Sequence, residues 1–361
     1  MSHWYARATT NAAMQATSWR AANRIFLATF VGLLTTVGVF ILLVDPYGVV
    51  PFSLPFERPI SSSQRQMYPQ IVRTGRYDSI VVGTSTSRLL DPAALDRALG
   101  GHFASFAMPS MTAWEQVQVI DYFRRTVAAP KAVLIGLDHE WCGRNSDSAV
   151  RELEFPYWAY DENRWNDFLY LLNNPTLEVA GRTIGRLLRL IPEKLREDGF
   201  EVFVPPESTY DLARAQYNIW GPTGPHASGP ARPPLQLSEA ERSAMVFPTL
   251  AWLDEGLAGL PEATKKLLVF PPVHVNAMPS AGSYSEALQA ECKTRIATIA
   301  RRRGAMLIDW RIASALTTED SNFWDAIHYR LPIAYRLIDD LGHIVEDGRV
   351  SPDGSYRILV R

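Results

Sequence analysis

DSIVVGTSTSR, residues 78–88, decides the fold class. The apolar run Ile80–Val82 ends on Gly83, and the small hydroxyl residues Thr84, Ser85, Thr86 and Ser87 lead on to Arg88. An unbroken β-branched run predicts a strand buried on both faces, and a glycine followed by hydroxyl side chains predicts a turn into a helix. Working outward, HFASFA (102–107), KAVLIGL (131–137), KLLVF (266–270) and AMLIDW (305–310) read as further strands. Between the first three, DPAALDRALG and TAWEQVQVIDYFRRTVAA carry helical spacing, so the order is βαβαβ. That order predicts an α/β domain over residues 78–361 with a parallel sheet covered by helices on both faces. From about 141 to 261 the alternation stops, which predicts a large insertion. It holds Trp141, Tyr157, Trp158, Tyr160, Trp165, Trp220 and Trp252, the helical stretch LEVAGRTIGRLLRLIPEKLRE and the Gly/Pro-rich loop GPTGPHASGPARPP. Helical patterns resume at SYSEALQAECKTRIATIARRRG and LPIAYRLIDDLGHIVEDG and complete the layers.

Ahead of this domain, Ile25–Val44 (IFLATFVGLLTTVGVFILLV) is uncharged and without a polar face. At ~1.5 Å per residue it just spans a ~30 Å hydrocarbon core, so it reads as a transmembrane helix. Arg7, Arg20 and Arg24 precede it, whereas Asp45 and Pro46 follow it at once. The positive-inside rule therefore places residues 1–24 in the cytoplasm and everything after residue 44 outside it, as in a single-pass protein of the bacterial inner membrane facing the periplasm. A cleaved signal peptide is the competing reading, but it wants a shorter apolar core and a small-residue cleavage site, and DPYGVVPF stands there instead. Residues 45–77, with Pro51, Pro55 and Pro59 and then SSSQRQ, read as an extended tether.

Several function classes are disfavoured by composition. The formal net charge is -2 and no dense basic run is present, so nucleic-acid binding is not expected. The two cysteines, Cys142 and Cys292, lack any metal-ligand spacing, and no metal or organic cofactor is expected. They could pair in an oxidising compartment or remain as two buried thiols.

In an open parallel sheet, ligands gather at the carboxyl ends of the strands. The turn after the first strand hands Ser85 to the start of a helix, where it is either a capping residue or an exposed nucleophile. Near the C-terminus, NFWDAIHY (322–329) places Asp325 three residues before His328. At that spacing a carboxylate can hold the imidazole Nδ1–H and leave Nε2 free to take a proton, though a solvated surface turn has the same spacing. Ser85, His328 and Asp325 together are a candidate nucleophile, base and orienter. His274, in the loop after the fourth strand, is positioned to line the same mouth. Trp158 and Trp165 could stack on sugar rings, or else pack the insertion onto the sheet.

Gly83-Thr84-Ser85 resembles the first motif block of SGNH (GDSL-type) hydrolases, and Asp325-x-x-His328 resembles their last block. The closer likeness is to membrane-anchored SGNH-like proteins of bacterial polysaccharide gene clusters, relatives of alginate-type O-acetyltransferase components, which the DPYG after the apolar helix also resembles. The resemblance implies a flavodoxin-like three-layer sandwich across about 78–346 and an envelope O-acyl esterase or O-acetyltransferase working through an acyl-enzyme on Ser85. The implied partners are a polysaccharide substrate and acetyl-donor or polysaccharide-export membrane proteins. It also implies an oxyanion hole at Ser85, Ser110 and Asp138. Here the sequence departs from the pattern: Ser110 stands where the family has glycine, and Gly136-Leu137-Asp138-His139 has Asp138 where the family has a donating asparagine. Those departures keep open the alternative of a catalytically inactive polysaccharide-binding or assembly protein.

Overall fold

Six strands form a single sheet in the computed structural model, which describes residues 2–51, 54, 56, 58, 59, 63–147, 155–225 and 232–361, with side chains from residue 19 onward. The middle of the Gly/Pro-rich loop, residues 226–231, lies outside the described residues, as do Ser61 and Ser62 of SSSQRQ. The strands are β1 (Ser79–Val82), β2 (Phe103–Ser105), β3 (Ala132–Gly136), β4 (Lys265–Phe270), β5 (Met306–Asp309) and β6 (Arg357–Val360). Their order is β2-β1-β3-β4-β5-β6; the first five are mutually parallel and β6 runs antiparallel to β5. The five strands expected from apolar runs are all present. β6 was not anticipated, because Arg-Ile-Leu-Val at a sheet edge carries no flanking pattern.

The chain divides into two units. In Pro59–Glu162 with Glu193–Arg361, the sheet lies between two helical layers. Helix α1 (Ser2–Val44) belongs to the other unit; α2 (Gln64–Arg73), α3 (Pro92–Leu99) and α4 (Ala113–Thr126) belong to this one. α3 and the helix Leu331–Asp347 pack together over Val81, Leu134, Leu267, Val269 and Ile308. α4 packs on the helix Thr249–Ala258, which in turn meets Tyr284–Arg303. Local signals set the boundaries: Asp91 caps α3 with Pro92 in its first turn, and Thr112 and Glu115 form a reciprocal capping box on α4. The insertion falls inside one crossover, between β3 and its parallel neighbour β4. Cys142 and Cys292 are disulfide-bonded, joining the start of the insertion to the helix Tyr284–Arg303.

The second unit comprises Met1–Arg58 and Asn163–Pro192. In α1 the segment Trp19–Val44 contains an 18-residue stretch with a mean hydropathy of 2.5 and is long and apolar enough to cross a membrane. Ile25 and Phe26 are each 67% exposed, which is not the state of a core helix in a water-soluble domain. Of the expected tether over 45–77, the described parts 45–51 and 63–73 are compact, and Pro55 lies outside the described residues. Asp45, Tyr47, Val49 and Val50 are buried; the Asp45 carboxylate accepts from the Val49 and Val50 amides, and the Arg58 guanidinium donates to the Val44 and Asp45 carbonyls. α2 is equally well packed in its own unit, burying Met67, Tyr68, Ile71 and Val72 and pairing Arg65 with Glu115. Proline and polar residues suggest extension; an aspartate closing a turn makes compact structure of 45–50, and an amphipathic helix does so over 64–73. The domain boundary at 78 moves with it, and part of the insertion leaves the α/β unit.

Candidate active site

The turn at the carboxyl end of β1 is built by exclusion of side chains. Ser87 is fully buried where β1 and β3 end, and a Cβ on Gly136 would lie 1.8 Å from its Oγ, while one on Gly83 would lie 2.6 Å away. Only glycine at both strand ends lets the Ser85–Ser87 turn close down on the sheet. Ser87 thus fills the wedge, and Ser85 is left on the accessible side, partly exposed. The Tyr329 hydroxyl, buried, donates to the Thr86 carbonyl and ties this turn to the C-terminal loop.

That loop is a tight reversal. Phe323 and Tyr329 form an antiparallel bridge, and the Trp324 amide donates to the His328 carbonyl at 2.9 Å. Inside it, Asp325 Oδ1 accepts from the Ile327 and His328 amides at 2.8 and 2.9 Å, which leaves Oδ2 to meet His328 Nδ1 at 2.8 Å. His328 Nε2 then lies 2.9 Å from Ser85 Oγ. Burial alone would raise the Asp325 pKa, but the hydrogen bonds from His328 and Ile327 outweigh it and hold the carboxyl below its ordinary value. Ser85, His328 and Asp325, named from two ends of the sequence, are brought together in one hydrogen-bonded line. No family model matches this chain, and no curated protein matches it either.

The remaining expected residues fare differently. Ser110 is exposed and has φ +50°, the left-handed backbone that glycine adopts without cost. The loop bearing it runs beside the Ser85 turn, since the Met108 amide donates to the Gly83 carbonyl at 3.0 Å. Among the described residues, neither the Ser85 nor the Ser110 amide donates to an intramolecular acceptor. Asp138 does not stand as a free donor. Its Oδ1 accepts from the Glu140 amide at 3.1 Å and its Oδ2 accepts from the Thr84 hydroxyl, and burial raises its pKa against the pull of Arg311.

His274 is a correction. Its side chain is fully buried between the rings of Trp220 and Phe323, and it lines no open mouth. Nδ1 accepts from the Asn276 amide, and Nε2 approaches Asp320 Oδ1 at 3.0 Å off the line of a hydrogen bond. Its backbone amide does serve the site, donating to the Ala326 carbonyl in the middle of the Asp325–His328 loop at 2.9 Å. Trp158 is half-buried; Trp165, 71% exposed, belongs to the unit that contains α1. Packing accounts for Tyr157 and Tyr160, whose rings meet Trp114, Phe155 and Tyr122, and for Trp141, fully buried with its indole N–H on Gln116.

The ring set edge-on against His328, at 5.3 Å, is Phe203, which the sequence reading did not single out. Arg88 lies over that ring at 4.4 Å and is ion-paired with buried Glu201. Arg88 is therefore neutralised and used to hold Phe203. Glu201 and Phe203 come from the insertion without any motif. A cavity of 1170 Å³ opens elsewhere in this unit, lined by Lys293, Asp309, Arg311 and Arg357 among others, and contains none of the three aligned residues.

Proposed function

We propose that this protein is an envelope O-acyl esterase or O-acetyltransferase that acts on a bacterial polysaccharide through an acyl-enzyme at Ser85. The observation that carries the proposal is the line Asp325 Oδ2, His328 Nδ1 and Nε2, Ser85 Oγ, each step within 2.9 Å, assembled from residues 243 apart in sequence. In this reading Ser85 Oγ attacks the ester carbonyl carbon while its proton passes to His328 Nε2. Asp325 keeps the imidazole in the tautomer that leaves Nε2 unprotonated and then faces the imidazolium. The backbone amides of Ser85 and Ser110, unspent on internal acceptors, are the donors for the tetrahedral oxyanion. His328 returns its proton to the departing alcohol. Water or a sugar hydroxyl then attacks the acyl-enzyme, with His328 again as base. Hydrolysis and transfer share every group up to that point.

Three further features support the reading. The parallel strand order 2-1-3-4-5 is that of flavodoxin-like sheets, the architecture expected of an SGNH-like domain. The Cys142–Cys292 bond fits an oxidising compartment. The exposed apolar face of Trp19–Val44 fits a single-pass anchor in the inner membrane with the α/β unit in the periplasm.

A second reading, an inactive polysaccharide-binding or assembly protein, is favoured by Asp138. It accepts from Thr84 at the position where an SGNH-type site would present an asparagine donor. A fluorophosphonate probe separates the two. Stoichiometric labelling mapped to the Ser85 peptide, and absent from Ser85→Ala, is expected; a folded protein that takes no label at Ser85 leaves the binding reading in possession.

A further inference from the structure

The unit containing α1 carries apolar surface that the aligned triad does not use. Within Asn163–Pro192, Leu169 is 64% exposed, Leu172 53%, Leu188 64% and Leu190 76%, beside the exposed Trp165. Five large apolar side chains this exposed within thirty residues mark a surface that something covers. Two features say what does so.

The first is depth. The helical turn Phe168–Leu171 and the helix Asn174–Leu187 both pack on α1, and Leu172 Cδ2 lies 3.7 Å from where a Cβ on Gly38 would stand. Gly38 precedes Val44, the end of the apolar span, by about 9 Å at ~1.5 Å per residue. The span cannot slide outward to escape this, because its uncharged stretch barely matches a ~30 Å core and sliding would draw Arg24 into hydrocarbon. Whenever α1 crosses a bilayer, Leu172 therefore stands inside the acyl-chain boundary. The second feature is shape. The helix Asn174–Leu187 ends at Arg189, whose φ of +58° turns the chain back so that Ile191 folds onto Gly185. That reversal leaves Leu187, Leu188 and Leu190 facing outward with Arg189 among them, while Arg182, one turn earlier on the helix, is ion-paired with Glu178. Exposed apolar residues reaching ~5–10 Å into the interface, with an exposed arginine whose head can return to the phosphates, describe an interfacial membrane element.

We propose that residues 163–192 form a membrane-seated elbow, embedded beside α1 in the leaflet at that helix's C-terminal end, whose ligand is the lipid surface itself. The proposal rests on α1 being a membrane anchor. To test it, the full-length chain is reconstituted in phosphatidylcholine–phosphatidylglycerol nanodiscs containing a phosphatidylcholine with a photoactivatable acyl chain, and lipid adducts are mapped by peptide. Adducts on 165–172 and 187–191, as well as on 25–43, are expected. Leu169→Glu combined with Leu172→Glu should lose those on 165–172 while keeping those on 25–43 and on 187–191; wild-type helix content by circular dichroism and a wild-type pattern of limited proteolysis across 163–192 show that the variant has folded. Adducts confined to 25–43 in the wild-type chain overturn the elbow and leave the anchor standing. Adducts on neither segment remove the anchor, and the elbow with it.

Discussion

Two of the histidine–carboxylate pairs of the α/β unit are of nearly equal length and sit in opposite surroundings. His328 meets Asp325 at 2.8 Å and His274 meets Asp320 at 3.0 Å. The first imidazole is partly exposed and presents Nε2 to a serine hydroxyl; the second is sealed between two aromatic rings with its Nδ1 occupied by a backbone amide. A base needs a carboxylate, but it also needs a free nitrogen facing a proton that must move. Where the ring is fully buried and its second nitrogen approaches only a structural carboxylate, the same residue types are packing. His274 nevertheless supports the other pair through its backbone, by the bond to Ala326.

The sharpest way to break this contrast is to remove the members of the first pair. Ser85→Ala and His328→Ala should each lower turnover of a small acetyl ester on the order of 10⁵-fold, and the double variant should lose little more, because the groups act as a unit. Additive losses in kcat/KM would mean that they do not. Asp325→Asn should cost less, on the order of 10³-fold, since the loop keeps its shape while the imidazole tautomer is no longer enforced. Circular dichroism and the melting curve should stay near wild type.

The second pair should answer in stability. His274→Ala opens space between Trp220 and Phe323 and should cost about 2–4 kcal/mol in denaturant unfolding while reducing kcat/KM by less than the Asp325 variant does. It should also change the pH dependence. Burial pushes the His274 pKa below its ordinary value, more than Asp320 restores it, so the folded state prefers the neutral ring. That contribution is complete above the unfolded value of ~6.5 and is lost as pH falls through the lower folded value. The acid-side decline in stability should therefore be shallower in His274→Ala. An unchanged slope would assign the decline to other groups.

The smallest effect is expected at Asp138. Both of its oxygens are engaged, by Glu140 and Thr84. Asp138→Asn can keep one acceptor and offer its amide to the Thr84 oxygen, so activity should change by less than about tenfold, the scale of one hydrogen bond of ~1 kcal/mol. A large gain in kcat would show instead that the side chain turns to the oxyanion and supplies the donor that the SGNH pattern calls for.

Most of the scaffold was legible in the sequence, because its signals are local. β1 to β5 announce themselves as short apolar runs, the helices between them by period and by caps at Asp91 and Thr112, and the membrane-length helix by an uncharged run of the right length. Ser85 and the Asp325–His328 spacing were legible for the same reason: a glycine-opened turn and a three-residue offset are properties of a few adjacent residues. What only the tertiary structure decided depends on groups distant in the chain. Whether Ser85 caps a helix or faces a base depends on a loop 243 residues later, held in place by Tyr329 on Thr86. Whether His274 lines a mouth or fills a core depends on Trp220 and Phe323, which no pattern connects to it. The folding of 45–51 and 64–73, the pairing of Cys142 with Cys292, and the seating of Phe203 against His328 by the Arg88–Glu201 pair share that character. Each is a contact between segments whose sequences carry no mark of one another, because side-chain burial and hydrogen-bond satisfaction are settled by the whole packed core and not by the run of residues that enters it.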